Sequence, residues 1–400
     1  MKRISPLSVK LSFFLYGIIC PLVFVHTVQG GGLTTVDPSD VGMVSQRLTE
    51  IDSIVQSAIE EKDTPGAVVL VARKGKVVYR KAFGYRSLRP IKEIMTVDTI
   101  FDLASLTKVM ATAPSIMILV EEGKLTLSDP VDLLLEGFGK YGKGNITPLQ
   151  LLTHFSGLRP GLDLDEKWSG YNSAIKFAFE EVLVSVPGTR FLYSDINYIL
   201  LGAVVREVSG VSLGEFSRRR IFSPLGMNDT GFNPSVSSAR VAPTQLRDGK
   251  LLRGKVHDPT SERMGGVSGH AGLFSTIDDV AIFCQMMLEG GTLDGSRILS
   301  PLAVRKMTTN QSPAGSDTWR GIGFDIQSKF SSSRGDLFPL GSFGHTGFTG
   351  TSVWIDPLSS TVLVILTSRL HPNSRGDVVR LRKQIANIVA SAIEVPIQAE

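Results

Sequence analysis

Cysteine is almost missing from this chain: Cys20 and Cys284 are the only two in 400 residues. A scaffold stapled by several disulfides is therefore excluded. Cys284 sits in an apolar helical pattern and reads as a small buried hydrophobe. Neither sign of charge is in real excess. The formal charge is +4, and setting aside Lys2, Arg3 and Lys10 at the N-terminus leaves +1, which implies no nucleic-acid surface. Histidine is scarce too, with 6 residues. None of His154, His257 or His270 lies in H-E-x-x-H, H-x-x-E-H or paired-histidine spacing, so neither a metal nor another cofactor is expected. Internal repeats and low-complexity linkers are lacking, which points to a single domain over 31–400.

The one long apolar run lies near the start. Leu11 to Val25, broken by Pro21, is preceded by basic residues and followed by Val28-Gln29-Gly30. This predicts a signal peptide over 1–30, cleaved near Gly30, and a periplasmic or secreted protein. The run is shorter than the roughly 20 residues of a spanning helix. Membrane attachment is expected only if the segment is retained. Ile19 is too bulky for the residue before a lipidated cysteine, so Cys20 is not read as an anchor.

The remainder has the balance of a soluble enzyme, with 42% hydrophobic and 20% charged residues. Residues 44–62 carry apolar side chains at helical spacing. Two β-branched runs in 67–85 flank Lys74-Gly75 and predict a hairpin. A second hairpin is predicted around Pro357-Leu358, between 352–357 and 360–370, followed by a closing helix over 375–393. The middle, about 106–330, reads as mostly helical with long loops.

Three short segments carry chemistry. Ser105-Leu106-Thr107-Lys108 reads as part of a helix opening just before the serine. Positions i and i+3 share a helix face, so an amine lies beside a hydroxyl. Serine needs such a base, and lysine serves when burial or a neighbouring cation lowers its pKa. Tyr193-Ser194-Asp195 and His345-Thr346-Gly347 follow in that order. Gly210 to Gly214 matches G-x-S-x-G, but a helical pattern precedes it, so Ser212 reads as a helix cap.

The ordered series resembles the serine β-lactamase-related family: class C β-lactamases, D-alanyl-D-alanine carboxypeptidases and related esterases. The resemblance covers about residues 38–395. It includes LLTHFSGL (151–158), FSPLGM (222–227), GHAGLFSTIDDVAIF (269–283) and LTSRLHP (366–372). VHDP (256–259) is similar to the periplasmic esterase or carboxypeptidase-like members. The resemblance implies an α+β, β-lactamase/transpeptidase-like fold. An antiparallel sheet flanked by terminal helices (about 38–100 and 335–400) faces a mostly helical lobe (about 101–334), with the site in the groove between them.

It also implies roles. Ser105 is the acylated nucleophile, and Lys108 and Tyr193 move protons. Thr346, Gly347 and Phe348 line the substrate groove, with the Phe348 and Ser105 main-chain amides as oxyanion donors. Asp195 departs from the usual asparagine; a carboxylate cannot donate to a substrate carbonyl, and it is expected to pair with Lys108 or His345. His345 replaces the usual lysine and would attract a substrate carboxylate when protonated. His154 is expected to order a loop, and His257-Asp258 to line the groove. The implied function is a secreted serine hydrolase of esters or D-alanyl peptides, with neutral esters favoured over anionic substrates. A β-lactamase is the enzyme alternative, and a non-turnover protein binding penicillin or cell-wall peptide the other. The expected partners are small molecules of those classes.

Overall fold

GAVVLVAR is rich in β-branched residues and has no polar side chain before its last position. Such a run suits a strand covered on both faces. In the computed structural model, which describes residues 1, 32–235, 239–247 and 249–394, it forms strand β1 (Gly66–Arg73) inside an eight-stranded sheet. The expected signal segment lies outside the described residues but for Met1. Strand β2 (Lys76–Ser87) returns beside β1 through Lys74 and Gly75, with φ of 49° and 75°. Left-handed backbone at both central positions is what a two-residue hairpin turn demands.

The sheet also contains β3 (Glu93–Ile94), β4 (Trp319–Arg320), β5 (Asp325–Gln327), β6 (Phe343–Thr346), β7 (Ser352–Asp356) and β8 (Thr361–Thr367). Its order is β4-β5-β6-β7-β8-β1-β2-β3, and the ladders are antiparallel. The predicted hairpins meet where β8 pairs with β1, from Ala67 opposite Thr367 to Arg73 opposite Thr361.

Side-chain alternation then builds two cores. Ala67, Val69 and Val71 face helices α1 (Ser45–Glu60) and α5 (Val379–Ser391), against Leu48, Ile51, Val55, Leu381, Ile385 and Val389. Val68, Leu70 and Ala72 face the other way. They join the larger core of α2 (Ala113–Glu121), α3 (Asp195–Ser209) and α4 (Ile277–Leu288). Each fully buried valine or leucine contributes about 1.5–3 kcal/mol. A one-residue slip of β1 would exchange the two faces, so its register is strongly specified.

One expected boundary of the sheet lobe is corrected. Strands β4 and β5 lie before residue 335, so the sheet takes in part of the segment expected to be helical. Phe101–Asp102, Leu273–Ser275 and Gly231–Phe232 form a further small sheet. These strands have two or three residues each, too short for periodicity to show. Among the described residues, no single helix is long and apolar enough to cross a membrane.

Candidate active site

Ser105 is presented by a tight turn between the strand Phe101–Asp102 and a helix that opens at Leu106, after the serine rather than before it. Ala104 has φ of 46°. The Asp102 carboxylate holds this bend by accepting from the Ala104 N–H at 2.8 Å and the His257 N–H at 2.7 Å. Burial pushes the Asp102 carboxyl up to about 6 against those two donors. The helix widens into a π-turn over Lys108–Thr112 before α2. Such turns often mark functional positions.

Lys108 is fully buried. Its Nζ lies 3.0 Å from Ser105 Oγ, 3.0 Å from the His270 carbonyl oxygen and 2.8 Å from Asp195 Oδ1. The first two accept hydrogen bonds from the ammonium, and Asp195 balances its charge as an ion pair. Burial alone would lower the Lys108 pKa, but the charges of Asp195 and Tyr193 outweigh it and hold it above the ordinary lysine value. The lowered pKa that would make Lys108 itself the resting base is therefore not found. Asp195 opens α3 behind the Ser194 cap, where a carboxylate also suits the helix N-terminus. It pairs with Lys108 rather than His345 and does not line the cavity that Ser105 borders.

Tyr193 comes immediately before that cap. Its ring centroid is 5.0 Å from Lys108 Nζ and 4.3 Å from the stacked ring of His154. His154 Nδ1 accepts from the Ser194 N–H at 3.1 Å. The histidine thus fixes the tyrosine and the start of α3 together.

Strand β6 brings His345 and Thr346 to the same place. The turn after it is tied to the serine segment: Thr349 Oγ1 donates to the Asp102 carbonyl at 2.7 Å and Thr351 Oγ1 to that of Leu103 at 3.1 Å. A Cβ on Gly347 would lie 2.2 Å from Thr351 Oγ1 and 2.5 Å from the Leu103 carbonyl oxygen, so only glycine permits this approach. Among the described residues, the Ser105 and Phe348 amides have no protein acceptor.

These residues border a cavity of about 500 Å³ with Ser105, Tyr193, His345 and Phe348 in its walls. Arg320, Arg369 and Arg382 line it too, against the carboxylates of Asp325 and Asp377. Arg320 and Asp325 form a buried pair at 3.1 Å. Arg382, on α5, donates to the carbonyls of Gly347 at 3.2 Å and Thr351 at 2.8 Å. Arg369 donates to the Phe348 carbonyl at 2.8 Å and stacks over the Phe348 ring. Arg369 lies in the LTSRLHP segment, but no sequence pattern singles out Arg320 or Arg382; the three come from β4, the turn after β8 and α5.

His345 departs from expectation. Its Nδ1–H donates to the Thr346 carbonyl at 2.9 Å. Burial, then the charges of Arg320 and Lys108, push its pKa well below the ordinary histidine value, so it is neutral at pH 7. Ser212, as expected, caps the helix Leu213–Ser217. His257 stacks on Phe348 at the cavity mouth without lining it.

Burial likewise lowers His154 well below its usual value, and brings His257 and His371 to about 4. Unfolded, each takes up a proton near pH 6.5. The stability that these four histidines contribute is complete above pH 6.5 and lost as pH falls towards 4. Asp102 and Asp279, both raised by burial to about 6, act oppositely but are fewer. Calorimetry is expected to show Tm falling between pH 7 and about 5. A rising Tm would contradict these assignments.

The β-lactamase family model matches residues 51–387. A Salmonella heidelberg protein named "Putative D-alanyl-D-alanine carboxypeptidase" is 32% identical over 383 residues, covering 85% of this chain and 86% of its own. A penicillin-binding protein homologue from Pyrococcus abyssi shares the fold with TM-score 0.65 and 28% identity, over 80% of this chain and 73% of its own. EstCE1, a hydrolase with promiscuous acyltransferase activity, superimposes with TM-score 0.70 at 24% identity, over 86% of this chain and 99% of its own. With this match, the sheet-and-helix architecture and 32% identity along most of two chains, the protein belongs to the β-lactamase family.

Proposed function

We propose that this protein is a serine hydrolase that cleaves a D-alanyl peptide, or an ester of similar shape, through an acyl-enzyme on Ser105. One observation carries the reading: the Lys108 ammonium touches Ser105 Oγ, beside Tyr193, at the wall of the substrate cavity. Ser105 Oγ bonds to the substrate carbonyl carbon. Its proton passes into the Lys108–Tyr193–Asp195 group, and Lys108 offsets the developing alkoxide charge. The Ser105 and Phe348 amides receive the oxyanion, each donor contributing about 3 kcal/mol to the transition state. The proton leaves with the departing amine or alcohol. Water then repeats the sequence on the acyl-enzyme. No step needs a metal or cofactor.

The cavity favours anionic substrates, the reverse of the preference expected from sequence. Asp195 is turned to Lys108, and three guanidiniums face two carboxylates. The Salmonella relative's name points the same way. We place the protein in the periplasm or outside the cell on the pattern of residues 1–30.

A matched pair of esters, one ending in a carboxylate and one in its methyl ester, tests the substrate reading alongside a D-Ala-D-Ala peptide and a chromogenic cephalosporin. Arg369→Gln is expected to lower the anionic-to-neutral ratio of kcat/KM about tenfold, because a charge-assisted hydrogen bond contributes about 1.5–3 kcal/mol. An unchanged ratio, or turnover of the cephalosporin alone, would reject it.

A further inference from the structure

Two segments that the proposed mechanism does not use meet behind Lys108. Asp258 belongs to VHDP and His270 to GHAGLFST, and both side chains are turned inwards at the same point. His270 is 1% exposed, and its Nε2–H donates to Asp258 Oδ1 at 2.8 Å. Its Nδ1 accepts from Ser268 Oγ, also at 2.8 Å. The carbonyl of the same residue accepts from Lys108 Nζ. One oxygen each of Asp195 and Asp258 and a ring nitrogen of His270 lie within 4.8 Å of one another. Such a group of ligands could hold a metal, but the Lys108 ammonium already provides a cation beside it.

The loop has no freedom to drift. A Cβ on Gly269 would fall 1.9 Å from the Tyr198 carbonyl oxygen, so the backbone lies flush on α3. Thr112 Oγ1 donates to the Gly269 carbonyl at 2.6 Å, and Ser261 Oγ to that of Ala271 at 2.9 Å. The same oxygen of Asp258 is anchored a second time. It caps the helix Pro259–Arg263 by accepting from the Ser261 N–H at 2.7 Å.

We propose that Asp258 and His270 are positioning residues for Lys108: the pair fixes the carbonyl that aims the ammonium, and Asp258 supplies a second negative charge beside Asp195. The inference rests on Ser105 being the nucleophile, as proposed above. It explains why an enzyme would set a half-buried carboxylate on a buried imidazole at the back of its catalytic lysine. Removing either would leave Lys108 with a looser carbonyl or a single counter-charge. His270, Ser261 and Lys108 together overcome burial and hold the Asp258 carboxyl well below the usual carboxylate range, so the charge is present at every working pH.

Several other titratable groups face Lys108. Asp195, Tyr193 and Tyr198 come from the α3 side. His154 and His345 feel its charge from the loop before α3 and from β6. Of these, only Asp195 adds a carboxylate charge like that of Asp258.

Asp258→Asn isolates the charge. Asparagine caps helices as well as aspartate does and can still accept from His270, so folding should be retained. The readout is kcat/KM for p-nitrophenyl acetate from about pH 6.5 to 10.5, reaching the ordinary lysine pKa, with spontaneous hydrolysis subtracted. Removing a nearby negative charge makes an ammonium easier to deprotonate. The alkaline limb should therefore move down by about one pH unit; because the Lys108 pKa starts above the ordinary lysine value, the loss is slight at about pH 9 and grows to severalfold by about pH 10.5, with KM little changed. Asp258→Glu keeps the charge and should keep the limb near its wild-type position, even if its rate is lower. A limb unmoved by Asp258→Asn, or moved equally by Asp258→Glu, would overturn the inference. Mass measurement of the Ser105 adduct in the same wild-type samples separates the two claims. An acylated enzyme whose limb ignores Asp258→Asn overturns this inference alone; a wild-type chain never acylated overturns it together with the proposed function.

Discussion

Ser105→Ala is expected to lower kcat/KM by about 10⁴–10⁶-fold on whichever ester or peptide the enzyme turns over, with little change in Tm. The oxygen removed is the one that forms the covalent bond, and no other hydroxyl can replace it. Ser212 is committed to its cap on Leu213–Ser217. The small stability effect follows from the contacts: Ser105 Oγ is held by Lys108, whose other partners, Asp195 and the His270 carbonyl, remain. Residual activity above background would come from the oxyanion donors and binding alone. A loss of less than tenfold would remove Ser105 from the mechanism.

Asp195→Asn is expected to cost about 100-fold in kcat/KM. Lys108 is fully buried, and leaving a buried charge without its partner typically costs about 3–5 kcal/mol. Asp195 itself is 34% exposed, so water recovers part of that, and the low end of the range applies. About 3 kcal/mol is about two powers of ten. The sign of the pH effect is also determined. Asp195 helps to hold the Lys108 pKa above its ordinary value. Without it the ammonium is lost at lower pH, and the alkaline limb moves down. If the family's usual asparagine worked here by donating to the substrate carbonyl, Asp195→Asn would instead raise activity. Kinetics at pH 7 and pH 9 distinguish the two outcomes, and a gain at either would contradict the ion-pair account.

Much of this site was legible in the linear sequence because its parts are local. Ser105 and Lys108 are three residues apart, and Tyr193 comes two residues before a capped helix. Gly347 occupies a place where any side chain would collide. The two hairpins were legible for the same reason: β-branched runs flank turns that need left-handed backbone. What could not be read is the product of long-range packing. Asp195 had two candidate partners, and only the fold of α3 against the π-turn decides for Lys108. The charge state of His345 depends on burial and on Arg320, which lies 25 residues before it on β4. Arg369 and Arg382 reach the cavity from the segment after β8 and from α5. Strands of two residues carry no period, so β4 has no signature in the linear sequence.

Intact-mass analysis followed by peptide mapping tests the central claim most directly. The protein is mixed with p-nitrophenyl acetate or a penicillin and quenched in acid within seconds. The account predicts a mass gain equal to one acyl group, or to one intact penicillin, carried on the peptide containing Ser105 and absent from Ser105→Ala. Labelling at Ser212, or equal labelling of the Ser105→Ala protein, would contradict it.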